Sequence, residues 1–208
     1  MQVLVLLVLA PVGAEYLAGY DTSTGRPLEL FAGLVFLIPL YGAPAVLIRE
    51  LARRRGAGWP GILLLALAAA VLQAGVIDQS LFSRSYRDMD FWPAMVQPTW
   101  IGGLGLGAYP ALNFLAGHMI WSFGAPIALA EAVRPGRAYR PWLRRRGLIT
   151  MTALYSAAAT LIGAEPLATE RDHASAAQLA GALVTAAALI VVALRRRPQP
   201  ARRPPRAR

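Results

Sequence analysis

Six long apolar segments dominate this chain of 208 residues and limit what it can fold into. Each has close to the twenty apolar residues that a helix needs to cross the hydrocarbon core of a membrane. The segments cover residues 2–20, 28–51, 60–79, 108–133, 147–165 and 174–194. Because a lipid-exposed backbone must satisfy its own hydrogen bonds, the pattern predicts an all-α polytopic membrane protein. We expect one domain, residues 1–194, that forms a bundle of six transmembrane helices.

The first segment could also be read as a cleaved signal peptide. It lacks the basic residues that begin such a peptide, since only Met1 and Gln2 precede its apolar part. We therefore interpret it as a membrane helix.

The basic residues predict how the helices are oriented. All 21 are arginine, and all but four lie in three clusters at residues 49–55, 134–146 and 195–208. Cytoplasmic connections of membrane proteins are enriched in such residues, so the clusters predict both termini inside. They also predict contact with anionic lipid headgroups. No nucleic acid partner is expected despite a net charge of +10, because the arginines flank apolar spans.

Two further stretches have a distinctive composition. Residues 195–208 are rich in arginine and proline without apolar periodicity, which predicts a disordered basic cytoplasmic tail. Residues 80–107 form a long connection rich in aromatics, which favours either a belt at the outer headgroups or a lid over a pocket. Its part 94–107 is too short and too rich in glycine to span, so we expect an interfacial or re-entrant piece.

Small residues and prolines predict how the helices pack. Alanine recurs every fourth residue at Ala66, Ala70 and Ala74, and again at Ala176 and Ala180. This spacing lets helix backbones approach closely. Prolines and glycines interrupt the second segment within 38–44 and the fourth within 117–126, and each interruption predicts either a packing kink or a transport site.

Composition excludes several kinds of site. The chain has no cysteine, so disulfides, thiolate metal sites and thiol nucleophiles are absent. It has two histidines, too few for a multi-histidine zinc site. No serine stands in a GxSxG elbow, and no lysine follows the glycine-rich run at 102–107. We therefore expect no metal and no cofactor.

Five polar residues lie within or beside the apolar segments, where such groups are costly and suggest a functional site. Under the predicted orientation they all fall in the outer half of the membrane, from near its surface to about 15 Å deep. They are Glu15, Gln73, Asp78, Asn113 and His118. If they share one pocket, it would bind a ligand, and Glu15 and His118 would be the candidates for acid or base catalysis. The alternative is that separate neighbours satisfy each of them.

Two acidic residues lie instead near the cytoplasmic helix ends. Glu50 has Arg53 and Arg54 three and four positions later, and Glu131 has Arg134 three positions later. This spacing is typical of ion pairs along one helix face, so we predict a structural role.

Three stretches resemble a group of uncharacterised bacterial integral membrane proteins. They are residues 41–54, 78–82 and 117–129, and the similarity covers most of residues 10–150. The resemblance implies a multi-pass protein of the bacterial plasma membrane and carries no activity.

A second resemblance is to the CPBP (CAAX protease and bacteriocin-processing) glutamic intramembrane proteases. Phe114 to His118 fits their FxxxH motif. Their other motif, EExxxR, is not matched, because the earlier helix has Gln73 and Asp78 in that region and no glutamate pair. The resemblance therefore implies a degenerate protease that has lost its activity.

Three functions remain open from the sequence. The first is a non-enzymatic structural or interaction protein with a membrane protein partner. The second is a small transporter or ligand-binding protein with an outward-facing polar pocket. The third is the degenerate protease.

Overall fold

The chain folds almost entirely into helices in this computed structural model, which describes residues 1–17, 25–169 and 172–196. The described helices are α1 (Gln2–Tyr16), α2 (Pro27–Arg55), α3 (Gly58–Ile77), α4 (Trp92–Val96), α5 (Ala108–Ala132), α6 (Arg145–Thr169) and α7 (Ala176–Arg195). Strands β1 (Trp100–Ile101) and β2 (Leu106–Gly107) form a short antiparallel hairpin. Single 3₁₀ turns lie at Tyr86–Asp88, Gln97–Thr99 and Pro135–Arg137.

The predicted fold class and membrane location are confirmed. Helices α2, α3, α5, α6 and α7 are long and apolar enough to cross a membrane. Helix α1 is apolar but shorter, and the end of its predicted span lies outside the described residues. The orientation of the termini stays a prediction, and all but the first two residues of the tail 195–208 lie outside the described part.

The connection at 80–107 does not form another long helix. It folds into α4, two 3₁₀ turns and the β1–β2 hairpin. The stretch 94–107, expected to be interfacial or re-entrant, contains the end of α4 and this hairpin.

Prolines widen α2 without ending it. Pro39 lies in a five-residue π-helical turn, Ile38–Gly42, and the helix continues through Pro44 to Arg55. Proline removes a backbone donor, and the wider turn accommodates the missing hydrogen bond within a continuous helix.

Helix α3 lies at the centre of the bundle and α6 at its edge. In α3, 67% of the most apolar stretch is buried, against 6% in α6. The alanine repeat of α3 is fully buried, as its spacing predicts. The repeat predicted in α7 is wrong, because Ala176 and Ala180 are exposed. Ala182 and Ala186 pack against α3 instead.

The ion pairs predicted for Glu131 are also wrong. Its Oε1 accepts hydrogen bonds from Arg49 Nε at 3.1 Å and Arg53 Nε at 2.8 Å. Its Oε2 accepts from Arg53 Nη2 at 2.5 Å. Both arginines belong to α2, so the partners lie on a neighbouring helix and not at Arg134. All three side chains are buried.

Glu50 extends this cluster into the following connection. It pairs with Arg54, as predicted, at 3.4 Å, and with the adjacent Arg49 at 2.8 Å. The predicted pairing with Arg53 is wrong, because Arg53 pairs with Glu131 instead. Its carboxylate also accepts from the backbone N–H groups of Trp142 and Leu143. The cluster therefore ties α2, α5 and the arginine-rich connection together. We call this side of the bundle the arginine end.

Candidate functional site

Four of the five polar residues singled out from the sequence line one cavity of about 460 Å³. They are Glu15 from α1, Gln73 and Asp78 at the end of α3, and His118 from α5. The cavity is also lined by Leu37, Leu40, Tyr41, Tyr86, Arg87, Met89, Phe114 and Ile162. Its walls therefore combine ionisable groups with aromatic and aliphatic side chains.

The cavity lies away from the arginine end. Gln73 is fifteen residues beyond Gly58, the first residue of α3, which corresponds to about 22 Å along the helix axis. Tyr41 is twelve residues before Arg53 in α2, or about 18 Å. The cavity is thus separated along the helices from the buried ion pairs: it lies near the middle of α2 and α5 and near the last residues of α1 and α3.

A π-helical turn supplies cavity residues from each of four helices. The turns are Val12–Tyr16, Ile38–Gly42, Gln73–Ile77 and His118–Gly124. Such turns are rare in proteins and are frequent at functional sites. A π turn inserts one extra residue and so rotates the side chains that follow it. Each of the four helices therefore has a π-helical turn beside the cavity, and these turns direct polar side chains into its lining.

Glu15 and Tyr41 are joined across α1 and α2. The Tyr41 hydroxyl donates a hydrogen bond to Glu15 Oε1 at 2.5 Å. The Tyr41 ring also lies beside His118, with 5.7 Å between ring centroids. Tyr41 thereby links the carboxylate to the histidine side of the cavity.

Asp78 follows the last residue of the α3 span and is buried. Burial raises the pKa of its carboxyl to about 6, although hydrogen bonds from Ser80, the charge of Arg87 and a hydrogen bond with Gln73 oppose the rise. The backbone N–H of Ser80 donates to Asp78 Oδ1 at 2.9 Å. Burial therefore makes this carboxyl less acidic than an exposed aspartate.

His118 is held by only one of its ring nitrogens within the described part of the chain. Nδ1 lies 2.9 Å from Ser122 Oγ. Nε2 is buried and has no hydrogen-bond partner among the described residues. A buried polar atom without a partner costs free energy, so Nε2 is suited to receive a ligand or water.

Asn113 does not reach this cavity. It is exposed and lines a second cavity, of about 440 Å³, between α1 and α5. Phe114 and His118 line both cavities. The shared pocket expected from the sequence thus holds four residues, with Asn113 beside it.

The aromatic connection covers the polar cavity. Tyr86, Arg87 and Met89 line it, and the Tyr86 ring packs at a tilt against the buried Trp92, with 4.9 Å between ring centroids. Trp92 Nε1 donates to the carbonyl of Ser83, which fixes the fold of the connection. Residues Tyr86–Met89 thus border the cavity, as the lid alternative expects, and we call them the lid. The belt alternative depends on where the headgroups lie and stays a prediction.

Unusual backbone angles occur in the lid and just after the end of α3. Gln79, Arg87 and Asp88 have φ values of 56°, 51° and 48°, which non-glycine residues rarely adopt. Such conformations cost about 1–3 kcal/mol each and cluster at ligand clamps and active sites. The sequence gives no signal for these angles.

Comparison with known proteins extends the similarity to nearly the whole chain. The model of an uncharacterised membrane protein family matches residues 4–205. No curated protein and no solved structure matches the chain.

Proposed function

We propose that this chain, which belongs to an uncharacterised membrane protein family, binds a small polar molecule in the cavity between its transmembrane helices. The observation that carries the proposal is the convergence of Glu15, Gln73, Asp78 and His118 from three helices on one cavity. Polar groups are expensive within a membrane bundle. A ligand repays that cost by completing their hydrogen bonds.

The unpartnered His118 Nε2 supports a ligand over a purely structural network. In a network built for stability, buried polar atoms find partners within the protein. Here Tyr41 and Glu15 satisfy each other, and Ser122 occupies one nitrogen of the histidine. The other nitrogen is buried without a partner among the described residues, in a side chain that lines the cavity, and a bound molecule would supply the missing hydrogen bond.

The cavity opens on the outer face in this proposal. Its residues are separated along the helices from the arginine end, towards the last residues of α1 and α3, and arginine-rich connections are typically cytoplasmic. The lid at Tyr86–Met89 then closes the cavity from the outside. A ligand would enter from the extracytoplasmic side or from the membrane.

The residues of the cavity favour ligand binding without catalysis. The CPBP proteases carry paired glutamates in the region where this chain has Gln73, and an amide cannot act as a general base. Glu15 and His118 remain as candidates for acid or base catalysis, but the paired glutamates of those proteases are missing. The predicted protease resemblance therefore contributes no reaction step here.

A structural or interaction role is the second candidate, and α6 favours it. This helix is long, apolar and little buried within the chain, so a membrane protein partner could pack along it. That role needs no ligand in the cavity. The two candidates differ in what a cavity-filling substitution does.

The test compares two substitutions at neighbouring positions of α6. Ile162 lines the cavity, whereas Leu161 is exposed. The wild type, Ile162→Trp and Leu161→Trp are extracted from the membrane in polymer-bounded lipid discs and analysed by native mass spectrometry. We expect a bound small molecule on the wild type and on Leu161→Trp, and its loss from Ile162→Trp. Bare protein in all three samples, or an adduct that Ile162→Trp retains, contradicts the proposal.

A further inference from the structure

The second cavity opens sideways between α1 and α5, and we propose that it holds the hydrocarbon chain of the same ligand. This inference rests on the proposed function and deepens it. The ligand would be a long-chain amine, with its ammonium head in the polar cavity and its chain in the second cavity. We call the second cavity the side groove; it is lined by Gly13, Ala14, Leu17, Asn113, Phe114, Gly117, His118, Trp121 and Ser122.

The side groove has a floor and an open end. A Cβ added to Gly13 would lie 2.3 Å from the backbone oxygen of Trp121, so α1 and α5 touch at this level. A Cβ added to Gly117 would meet nothing within 4 Å. The two helices therefore make contact at Gly13 and part beside Gly117. The space beside Gly117 belongs to the side groove of about 440 Å³.

The groove faces lipid. Leu17 is 71% exposed and Trp121 is 58% exposed within the bundle. On helices that sit in a membrane, such surfaces contact acyl chains and not water. Most of the remaining lining is small or apolar. A hydrocarbon chain is the occupant that this surface and its surroundings favour.

The two cavities meet at His118 and Phe114, which line both. On the groove side His118 Nδ1 is paired with Ser122 Oγ. His118 Nε2 is buried and has no partner in the described residues. A ligand that fills both cavities would place its polar atom beside this nitrogen and its chain beyond Phe114.

The charges of the polar cavity select the head group. Among the described residues of its lining are two carboxyl groups, Glu15 and Asp78, and one guanidinium, Arg87 on the lid. The rings of Tyr41 and Phe114 lie within 5.7 and 6.2 Å of the His118 ring, so aromatic faces border the same space. Carboxylates and ring faces both attract a cation. An ammonium fits this set better than a carboxylate or a phosphate does.

The experiment uses photolabelling. The probe is a long-chain alkylamine with a diazirine near the end of its chain, added to the protein in lipid nanodiscs, and labelled residues are mapped by mass spectrometry. Gly117→Phe fills the groove at a position with free space, and Leu112→Phe adds the same ring to an exposed site outside the groove lining. The matching long-chain carboxylic acid with the same diazirine controls for the head group.

We expect the amine probe to label α1 and α5 along the groove. Gly117→Phe should reduce this labelling by about tenfold or more, Leu112→Phe should leave it unchanged, and the acid should label weakly. Asn113→Phe fills the groove from its exposed side and should repeat the effect of Gly117→Phe. Agreement between the two variants separates a filled groove from misfolding of one variant.

Two results would overturn the inference, and they bear differently on the proposed function. Labelling that Ile162→Trp abolishes and both groove variants leave intact shows that the polar cavity binds while the groove does not. The other result is labelling that spreads over lipid-facing residues and is unaffected by every variant. That result rules out a long-chain amine as the ligand. The native mass spectra then still decide separately whether the polar cavity holds another ligand.

Discussion

Replacing Glu131 by glutamine should destabilise the folded protein strongly, because this carboxylate balances two buried arginines. It accepts hydrogen bonds from Arg49 Nε, Arg53 Nε and Arg53 Nη2, at 3.1, 2.8 and 2.5 Å. Glutamine keeps the shape but loses the charge, and its amide nitrogen points a donor at a guanidinium. A lost charge-assisted hydrogen bond is worth about 1.5–3 kcal/mol. An uncompensated buried charge raises the total to about 3–5 kcal/mol.

The assay is equilibrium unfolding in mixed micelles with increasing dodecyl sulfate, followed by tryptophan fluorescence. Trp142 is a suitable reporter because the Arg49 guanidinium lies 3.6 Å from its ring centroid. Glu29→Gln is the matched control, since it removes an exposed carboxylate paired with Arg26 at 3.1 Å. An exposed pair of this kind contributes at most about 1 kcal/mol. If Glu131→Gln shifts the free energy of unfolding no more than Glu29→Gln does, the reasoning about the buried cluster is refuted.

Two further substitutions test the packing and the lid. Gly42→Ala should lower the free energy of unfolding by about 1–3 kcal/mol, because the added Cβ would lie 2.5 Å from the backbone oxygen of Leu7, whereas Gly117→Ala should stay within about 1 kcal/mol of wild type. The same unfolding assay checks both, and equal values for the two variants would contradict the close approach of α1 and α2. Trp92→Phe removes the hydrogen bond to the Ser83 carbonyl and should cost about 1 kcal/mol while raising hydrogen exchange in 80–90. Unchanged exchange there would mean that Trp92 does not hold the lid.

The arginine clusters predict most of the residues of the polar cavity from the sequence alone. Arginine clusters assign a side to each helix end, and counting along a helix then assigns a depth to each polar residue. Glu15, Gln73, Asp78 and His118 were grouped in this way. Asn113 shared their predicted depth but is exposed, because depth does not specify the direction of a side chain. Five residues from His118, at about 100° per residue, it is turned about 140° around α5.

The spacing of residues along the sequence does not predict the contacts between helices. Glu131 pairs with Arg53, 78 positions away, although Arg134 follows it after only three positions, just beyond the end of α5. Alanine spacing likewise found one face of α3 but the wrong face of α7, because alanine is common on both faces of that helix. The partner helix decides which face is buried, and only the fold shows the partner.

Tyr41 and the π turns were missed for a related reason. Tyr41 looked like an ordinary aromatic residue between two prolines, and its role depends on Glu15 of another helix. A π turn has no sequence signature beyond the proline or glycine that accompanies some of them. The positive φ angles of the lid likewise have no sequence pattern that predicts them.

The most direct test of the central claim uses the absence of cysteine from the chain. A single cysteine in place of Gln73 would lie in the polar cavity, and one in place of Val184, exposed on α7, would face lipid. A membrane-impermeant cationic thiol reagent is applied to intact cells and to inverted vesicles, and modification is measured by the mass increase. The account predicts that Gln73→Cys reacts from the outside of intact cells and that Val184→Cys reacts from neither side. No reaction of Gln73→Cys, or reaction only in inverted vesicles, would contradict an outward-opening polar cavity.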